Sequence, residues 1–378
     1  MPAVRFYRAS LLALVLGGIV PAPVYALFTF NDGRDQLFVT GDFSLVYDTN
    51  IFANRFANAD TIYSGGVGLE YSRHAGIISL DASTGISTSR FEKFSSENFS
   101  DPHFQGEFSA RDDRTSADLT LSTSRQSEAD IISGIRAVSW NYAAGFNTKY
   151  RVNDRYSVSG NLGYTLQDFV NTPLLVNLSG YSAGANLFYT INSARDFFVG
   201  YDFHLQRTSG NRSFYDHSVN FGLDGKILPK INGSVSVGYE LQEPHGSADH
   251  STGSLTESIA LTWNLSRRVK ITGHLSQDFN ATSTNESINT TAGSLDATYS
   301  MNSKTAVTAS VGGGYNRFIG AEAGGRRDTY FTWSIGPSYS INEHLKVSTS
   351  YTYYENWSTL TFSDFIRHTF SVSLSARF

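Results

Sequence analysis

Two groups of side chains have the types that chemistry needs. Asp202 and His204 sit two residues apart, with Asp216 and Asn220 a short distance on. His274, Asp278 and Asp296 make a second group. A histidine beside carboxylates supplies the base and its orienting partner, but covalent hydrolysis also needs a nucleophile converging on them. Neither group follows a nucleophile motif such as Gly-x-Ser-x-Gly. The nine histidines lack the spacing of metal ligands, and the absence of cysteine excludes a thiolate site and a disulfide framework. Asp48, Asn50 and Asp60 offer oxygens of the kind calcium takes, yet a calcium loop needs six or more, from more closely spaced carboxylates. The plainer reading has Asp48 and Asn50 capping a turn through side-chain-to-backbone bonds. The sequence therefore carries no expectation of catalytic residues, metal ligands or cofactors. Its histidines and carboxylates read as the polar lining of a wet interior.

Strands must position that lining. Phe197, Val199, Tyr201, Phe203 and Leu205 alternate with Gly200, Asp202, His204 and Gln206, which sends the two sets to opposite faces of one strand. Val235, Val237, Tyr239 and Leu241 alternate in the same way with Ser234, Ser236, Gly238 and Glu240. Leu345 to Tyr354 repeats the pattern, and the last segment keeps it to the final residue, Phe378. Segments of about ten alternating residues separated by turns mark a transmembrane β-barrel. A soluble sandwich has shorter strands, of about five or six residues. It also seldom fills an inner face with Gly, Ser, Thr and charge. Helical period 3.6 is not sustained anywhere in the mature chain.

The connections alternate as well. Tight polar turns are expected at His74-Ala75-Gly76, Asp112-Asp113, Asn153-Asp154, Asn192-Ser193, Leu228-Pro229-Lys230, Arg267-Arg268, Asn302-Ser303 and Asn342-Glu343. Between them fall longer polar connections, such as Gln242 to Gly253 and Phe318 to Asp328. The expectation is an all-β, antiparallel transmembrane barrel of about 18 strands, with a range of 16 to 18. Short turns would face the periplasm and longer loops the outside. Aromatic girdles are expected near the short turns at Tyr71, Tyr150, Tyr156, Phe197, Tyr339 and Phe378. The opposite girdle would be Tyr47, Trp140, Phe169, Tyr181, Phe279, Tyr315 and Phe365. Pro337 lacks a ladder donor and predicts a bulge.

Residues 1–26 read as a cleaved signal peptide. Arg5 and Arg8 give a basic start, Leu11 to Val20 an apolar run, and Val24-Tyr25-Ala26 a cleavage site. Residues 27–36 are then a short periplasmic segment, and 37–378 the barrel. Removing Arg5 and Arg8 leaves 27 basic against 34 acidic residues, a net charge of −7. No clustered basic surface suggests a nucleic-acid partner.

Tyr47-Asp48-Thr49-Asn50-Ile51-Phe52 closes the first strand, and Ala59-Asp60 precedes the strand from Tyr63 to Tyr71. With the recurring Gly-Tyr strands, this region resembles the putative β-barrel porin family of Gram-negative bacteria, often encoded near exopolysaccharide export genes. Tyr47, Asp48, Asn50 and Phe52 carry the motif-like part. The resemblance implies an outer-membrane location and a transport role, and brings no catalytic residues. Phe378 looks like the terminal signal read by the outer-membrane assembly machinery. The other expected partners are outer-membrane lipid and lipopolysaccharide, with polysaccharide export components as a further possibility.

The candidate lumen-lining residues are Asp202, His204, Asp224, Glu240, Asp278, Asp296, Lys270 and Lys346. Asp202, Asp224 and Glu240, on three consecutive strands, suggest one acidic stripe. Most other inward positions are too small to fill so wide a barrel, and 16 to 18 strands leave an aqueous channel. The functional expectation is a water-filled channel for small hydrophilic solutes. The alternative is a structural or export-partner barrel serving surface polysaccharide secretion.

Overall fold

The computed structural model describes residues 27–170, 172–246, 249–320 and 324–378, so the expected signal peptide lies outside the described residues. Among the described residues, nineteen strands form one antiparallel sheet. In chain order they are β1 (Phe28–Phe30), β2 (Asp35–Asp48), β3 (Asp60–Ala75), β4 (Ile78–Phe91), β5 (Phe99–Arg111), β6 (Thr115–Asp130), β7 (Ile135–Arg151), β8 (Tyr156–Val170) and β9 (Leu178–Asn192). There follow β10 (Arg195–Thr208), β11 (Ser213–Leu228), β12 (Ile231–His245), β13 (Thr252–Asn264), β14 (Val269–Ala281) and β15 (Ser287–Ser300). The last four are β16 (Thr305–Ile319), β17 (Arg327–Ser340), β18 (Leu345–Ser358) and β19 (Phe365–Arg377). β1 is a short hairpin arm on β2, pairing Phe28 with Leu37 and Phe30 with Asp35.

The other eighteen strands close a ring. β19 pairs with β2 from Thr369 opposite Asp48 to Arg377 opposite Thr40. The terminal residue adds one more rung, since Phe378 N donates to Val39 O at 2.9 Å and Val39 N to Phe378 O at 2.8 Å. Closure joins the first and last strands of the ring, removing the open edge between them that hydrocarbon could not hydrogen-bond.

All eight tight turns form where the sequence places them, and side-chain chemistry explains several. Asn153 Oδ1 accepts the N–H groups of Arg155 and Tyr156, Asn302 those of Lys304 and Thr305, and Asn342 those of His344 and Leu345. Asp112 does the same with Arg114 and Thr115. These backbone donors favour the carboxylate and hold its pKa below the usual range.

The loops are shorter than expected because the strands run on. In the ring of eighteen, lengths span 13 residues in β5 to 17 in β7, beyond the nine to eleven or so that cross a bilayer. Gln242 to His245 and Thr252-Gly253, expected in a loop, belong to β12 and β13. Pro337 makes no bulge. Ile335 opposite Tyr351 and Ser338 opposite Ser348 keep one register, and the ladder to β18 merely skips Gly336 and Pro337. The missing donor costs rungs without inserting a residue.

The outer face is a belt of exposed apolar side chains, including Phe43, Val67, Leu119, Leu162, Leu187, Phe221, Val237, Leu295 and Phe370. An apolar surface of this extent fits hydrocarbon, not water. The girdle near the short turns matches expectation. The opposite one needs correction at three positions. Phe279 and Phe365 are buried, 2% and 6% exposed, and Phe169 shares the inner face with Gln167. Nearness to a loop does not set the face; the strand's alternation or its bending does.

Candidate functional site

The register places every expected lumen residue on the inner face, yet it does not assemble the expected acidic stripe. Asp202 of β10 faces Ser218 of β11, and Ser218 faces Glu240 of β12, so those two carboxylates share a level. Asp224 lies six residues further down and faces Asp196, near a short turn. Lys270 opposite Thr298, Asp296 opposite Thr272 and Lys346 opposite Ser340 also lie toward the short-turn end. Near the loop end the cluster is His204, Asp216, Glu240 and Asp278. His204 and Asp216 are direct cross-strand neighbours. Asp216 appears in the sequence only as a possible neighbour of Asp202 and His204, because strand stagger is not written in any one strand.

Exposure of the charged inner side chains differs between the two ends, although Phe38, Phe188 and Phe198 are buried on the inner face toward the short turns. Near the short turns, the inward side chains of Asp81 and Arg111 are 51% and 66% exposed. Near the loops, Asp60, Asp48, Asp216 and Glu240 are between 0% and 4% exposed. The loops cause this. Arg326, just before β17, donates to Ile132 O at 3.0 Å, in the loop between β6 and β7, seven strands around the ring from β17. Asn54 Nδ2 reaches Gly134 O at 3.0 Å, and Arg136 Nη1 reaches Ile51 O at 3.2 Å. Ser283 Oγ donates to Asp130 Oδ2 at 2.7 Å, while its carbonyl accepts from Val176 N at 2.9 Å. Bonds between opposite walls require loops folded inward across the mouth.

Two local features permit this cap. Gly134 has φ +68°, and a Cβ there would collide with the Phe362 ring, so only glycine fits the crossing. The second feature is the seam between β13 and β14, whose pairing stops at Ser258 opposite Ser276. Beyond that point β14 leans into the lumen. Phe279 O accepts from Gln206 Nε2 at 3.1 Å, and Ala281 N donates to Gln206 Oε1 at 2.6 Å. Inner side chains thus satisfy backbone groups that the neighbouring strand leaves unpaired.

The Tyr47 to Phe52 motif is part of the same cap. Tyr47 points outward, 48% exposed, whereas Asp48 is buried and accepts Asn50 N at 2.8 Å, the turn cap expected of it. Arg367 grips both Asp48 oxygens, with Nε at 3.1 and 3.0 Å and Nη2 at 2.5 Å. Asn50 donates to Asn54 O at 2.6 Å, and the Phe52 ring meets Phe94 edge-on at 5.3 Å. Asp60 accepts three backbone N–H groups, from Thr61, Lys93 and Phe94. These oxygens are engaged by backbone donors and by the arginine fork, and so serve loop geometry.

A closed, apolar-belted, polar-lined ring of eighteen strands defines a porin-like transmembrane β-barrel. Residues 201–378 match the model of the family described as Putative beta-barrel porin 2, which bears out the family resemblance read from the sequence. The matched region is the second half of the barrel and does not include Tyr47 to Phe52. No curated protein sequence matches the chain. Among solved structures, OpdK with vanillate from Pseudomonas aeruginosa is similar at 10% identity and a TM-score of 0.48, covering 90% of this chain and 99% of that one. The siderophore receptor PirA from Acinetobacter baumannii aligns at 8% identity and 0.48, covering 93% and 81%. A ferric enterobactin receptor mutant of Pseudomonas aeruginosa in complex with enterobactin aligns at 8% and 0.46, covering 90% and 81%.

Proposed function

We propose that the protein is an outer-membrane channel for small hydrophilic solutes whose loop cap sets its conductance. The reading rests on one contrast: charged inner side chains such as Asp81 and Arg111 are open to water toward the short turns, and Asp48, Asp60, Asp216 and Glu240 are buried beneath bridged loops at the other end. Short turns face the periplasm and the cap faces outward, after export on the 1–26 signal and assembly through Phe378. Outer-membrane lipid and lipopolysaccharide contact the apolar belt. A cysteine at Asn302, in a short turn, is then protected from an impermeant label in intact cells. A cysteine at Leu174, 79% exposed in a loop, is labelled. The reverse pattern would invert the orientation.

The conductance test uses purified protein in planar bilayers. Replacing residues 282–286 by Asn-Gly keeps the rung between Ala281 and Ser287 as a two-residue hairpin and removes the Ser283 bridges. The expected result is low or flickering conductance for the native chain and a larger, steadier one for the variant. Silence from both would overturn the channel. The sealed mouth would then support the second reading, an anchoring or export-partner barrel for surface polysaccharide, with a cell-surface phenotype on deletion.

A further inference from the structure

Beneath the cap, three adjacent strands bring together one histidine and two carboxylates. His204 of β10 stands directly opposite Asp216 of β11. Glu240 of β12 faces Ser218, one inward position along from Asp216. A ring nitrogen of His204 and one oxygen from each acid all lie within 4.8 Å of one another. Asp216 is 1% exposed and Glu240 4%. The carboxylates of Asp202 and Asp278 lie within electrostatic reach of Glu240 as well. Among the described residues, no lysine or arginine pairs with Asp216, Glu240 or Asp278.

Buried carboxylates are ordinarily paired with a cation or coordinate a metal, because an isolated charge is costly away from water. Here the surroundings supply orientation without charge. Gln242 Nε2 donates to Asp216 Oδ1 at 2.8 Å and Gln206 Nε2 to Asp216 Oδ2 at 3.0 Å. The Phe279 N–H lies beside Glu240, and no side chain donates to it among the described residues. Amide donors that fix a carboxylate from behind are the usual outer shell of a metal ligand, and each oxygen keeps a lone pair for the ion.

We propose that His204, Asp216 and Glu240 bind one divalent transition-metal cation in the lumen. Imidazole with two carboxylates suits zinc or manganese, and three protein ligands leave room for water. Calcium, which takes oxygen ligands, is disfavoured by the histidine. The same outer shell touches the inward-leaning hairpin of β14 and β15. Gln242 Oε1 accepts from Ser287 Oγ at 2.6 Å, and Gln206 is bonded to Phe279 and Ala281. The bound ion therefore also stiffens the cap.

Tag-free barrel, folded in detergent and freed of metal with a chelator, is titrated with zinc chloride by calorimetry. One saturable equivalent is expected, undisturbed by millimolar calcium. His204→Ala and Glu240→Gln should lose it while still migrating as folded barrels in unboiled gels. Gln242→Ala, which removes only an orienting donor, should weaken binding roughly 10- to 100-fold. Cobalt substitution should give an absorption band that His204→Ala alters. No saturable zinc uptake by the native chain, or equal uptake by His204→Ala, would overturn the site. Calorimetry does not depend on conductance, so a silent pore leaves this result standing.

Discussion

Arg367→Ala is expected to cost roughly 3–5 kcal/mol, the range found when one partner of a buried pair is removed. The substitution leaves the Asp48 carboxylate, 1% exposed, with the Asn50 N–H and no directly bonded cation, Arg136 acting on it only at longer range. The bond being lost is a double one, from Nε and Nη2 to both oxygens, with the arginine side chain only 20% exposed. It also joins the two ends of the ring, since Arg367 lies on β19 and Asp48 on β2. The measurement is the denaturant midpoint of barrel folded into lipid vesicles, followed by the unboiled gel shift. Adding Asp48→Asn should recover part of the loss, because the stranded charge disappears with it. A loss below about 1 kcal/mol, the value typical of exposed pairs, would show that water reaches this site.

The second large effect separates the two faces of one strand. Leu374 of β19 faces outward, 41% exposed, and lies four residues from Phe378, which marks the interface. Leu374→Arg places a charge in hydrocarbon and should cost roughly 2–4 kcal/mol near the midplane. Ser373 faces inward, opposite Ser44 across the closing seam, so Ser373→Arg meets the lumen and should be close to neutral. Both variants are read by the same unfolding midpoint. Reversed costs would mean that β19 is slipped by one residue against β2, since a single-residue slip exchanges faces.

What the sequence determined by itself follows from period two and turn chemistry. Alternation along Phe197 to Gln206 assigns faces without any neighbour, and an Asn or Asp that caps its own turn fixes a hairpin locally. Strand number, closure, the outer belt and the inward face of Asp202, His204 and Glu240 were therefore legible. The family resemblance is legible too: its recurring Gly-Tyr strands extend through the matched residues 201–378, and the motif at Tyr47 to Phe52 lies outside them. Girdle residues failed where nearness to a loop stood in for facing. Phe279 sits on a strand that leaves its neighbour and bends inward, which no periodicity can register.

Only the tertiary structure decided which inner side chains meet. His204 and Asp216 are twelve residues apart, and Glu240 twenty-four beyond, so no ligand spacing appears in the chain. The stagger of β10, β11 and β12 puts them on one patch, while the same stagger carries Asp224 away to face Asp196. The cap was equally hidden. Its bonds join Arg326 to Ile132 and Ser283 to Asp130, across the width of a ring that does not exist until the last strand finds the first. Face is a property of one strand. Stagger and loop direction belong to the closed barrel, because they are set by partners far apart in sequence.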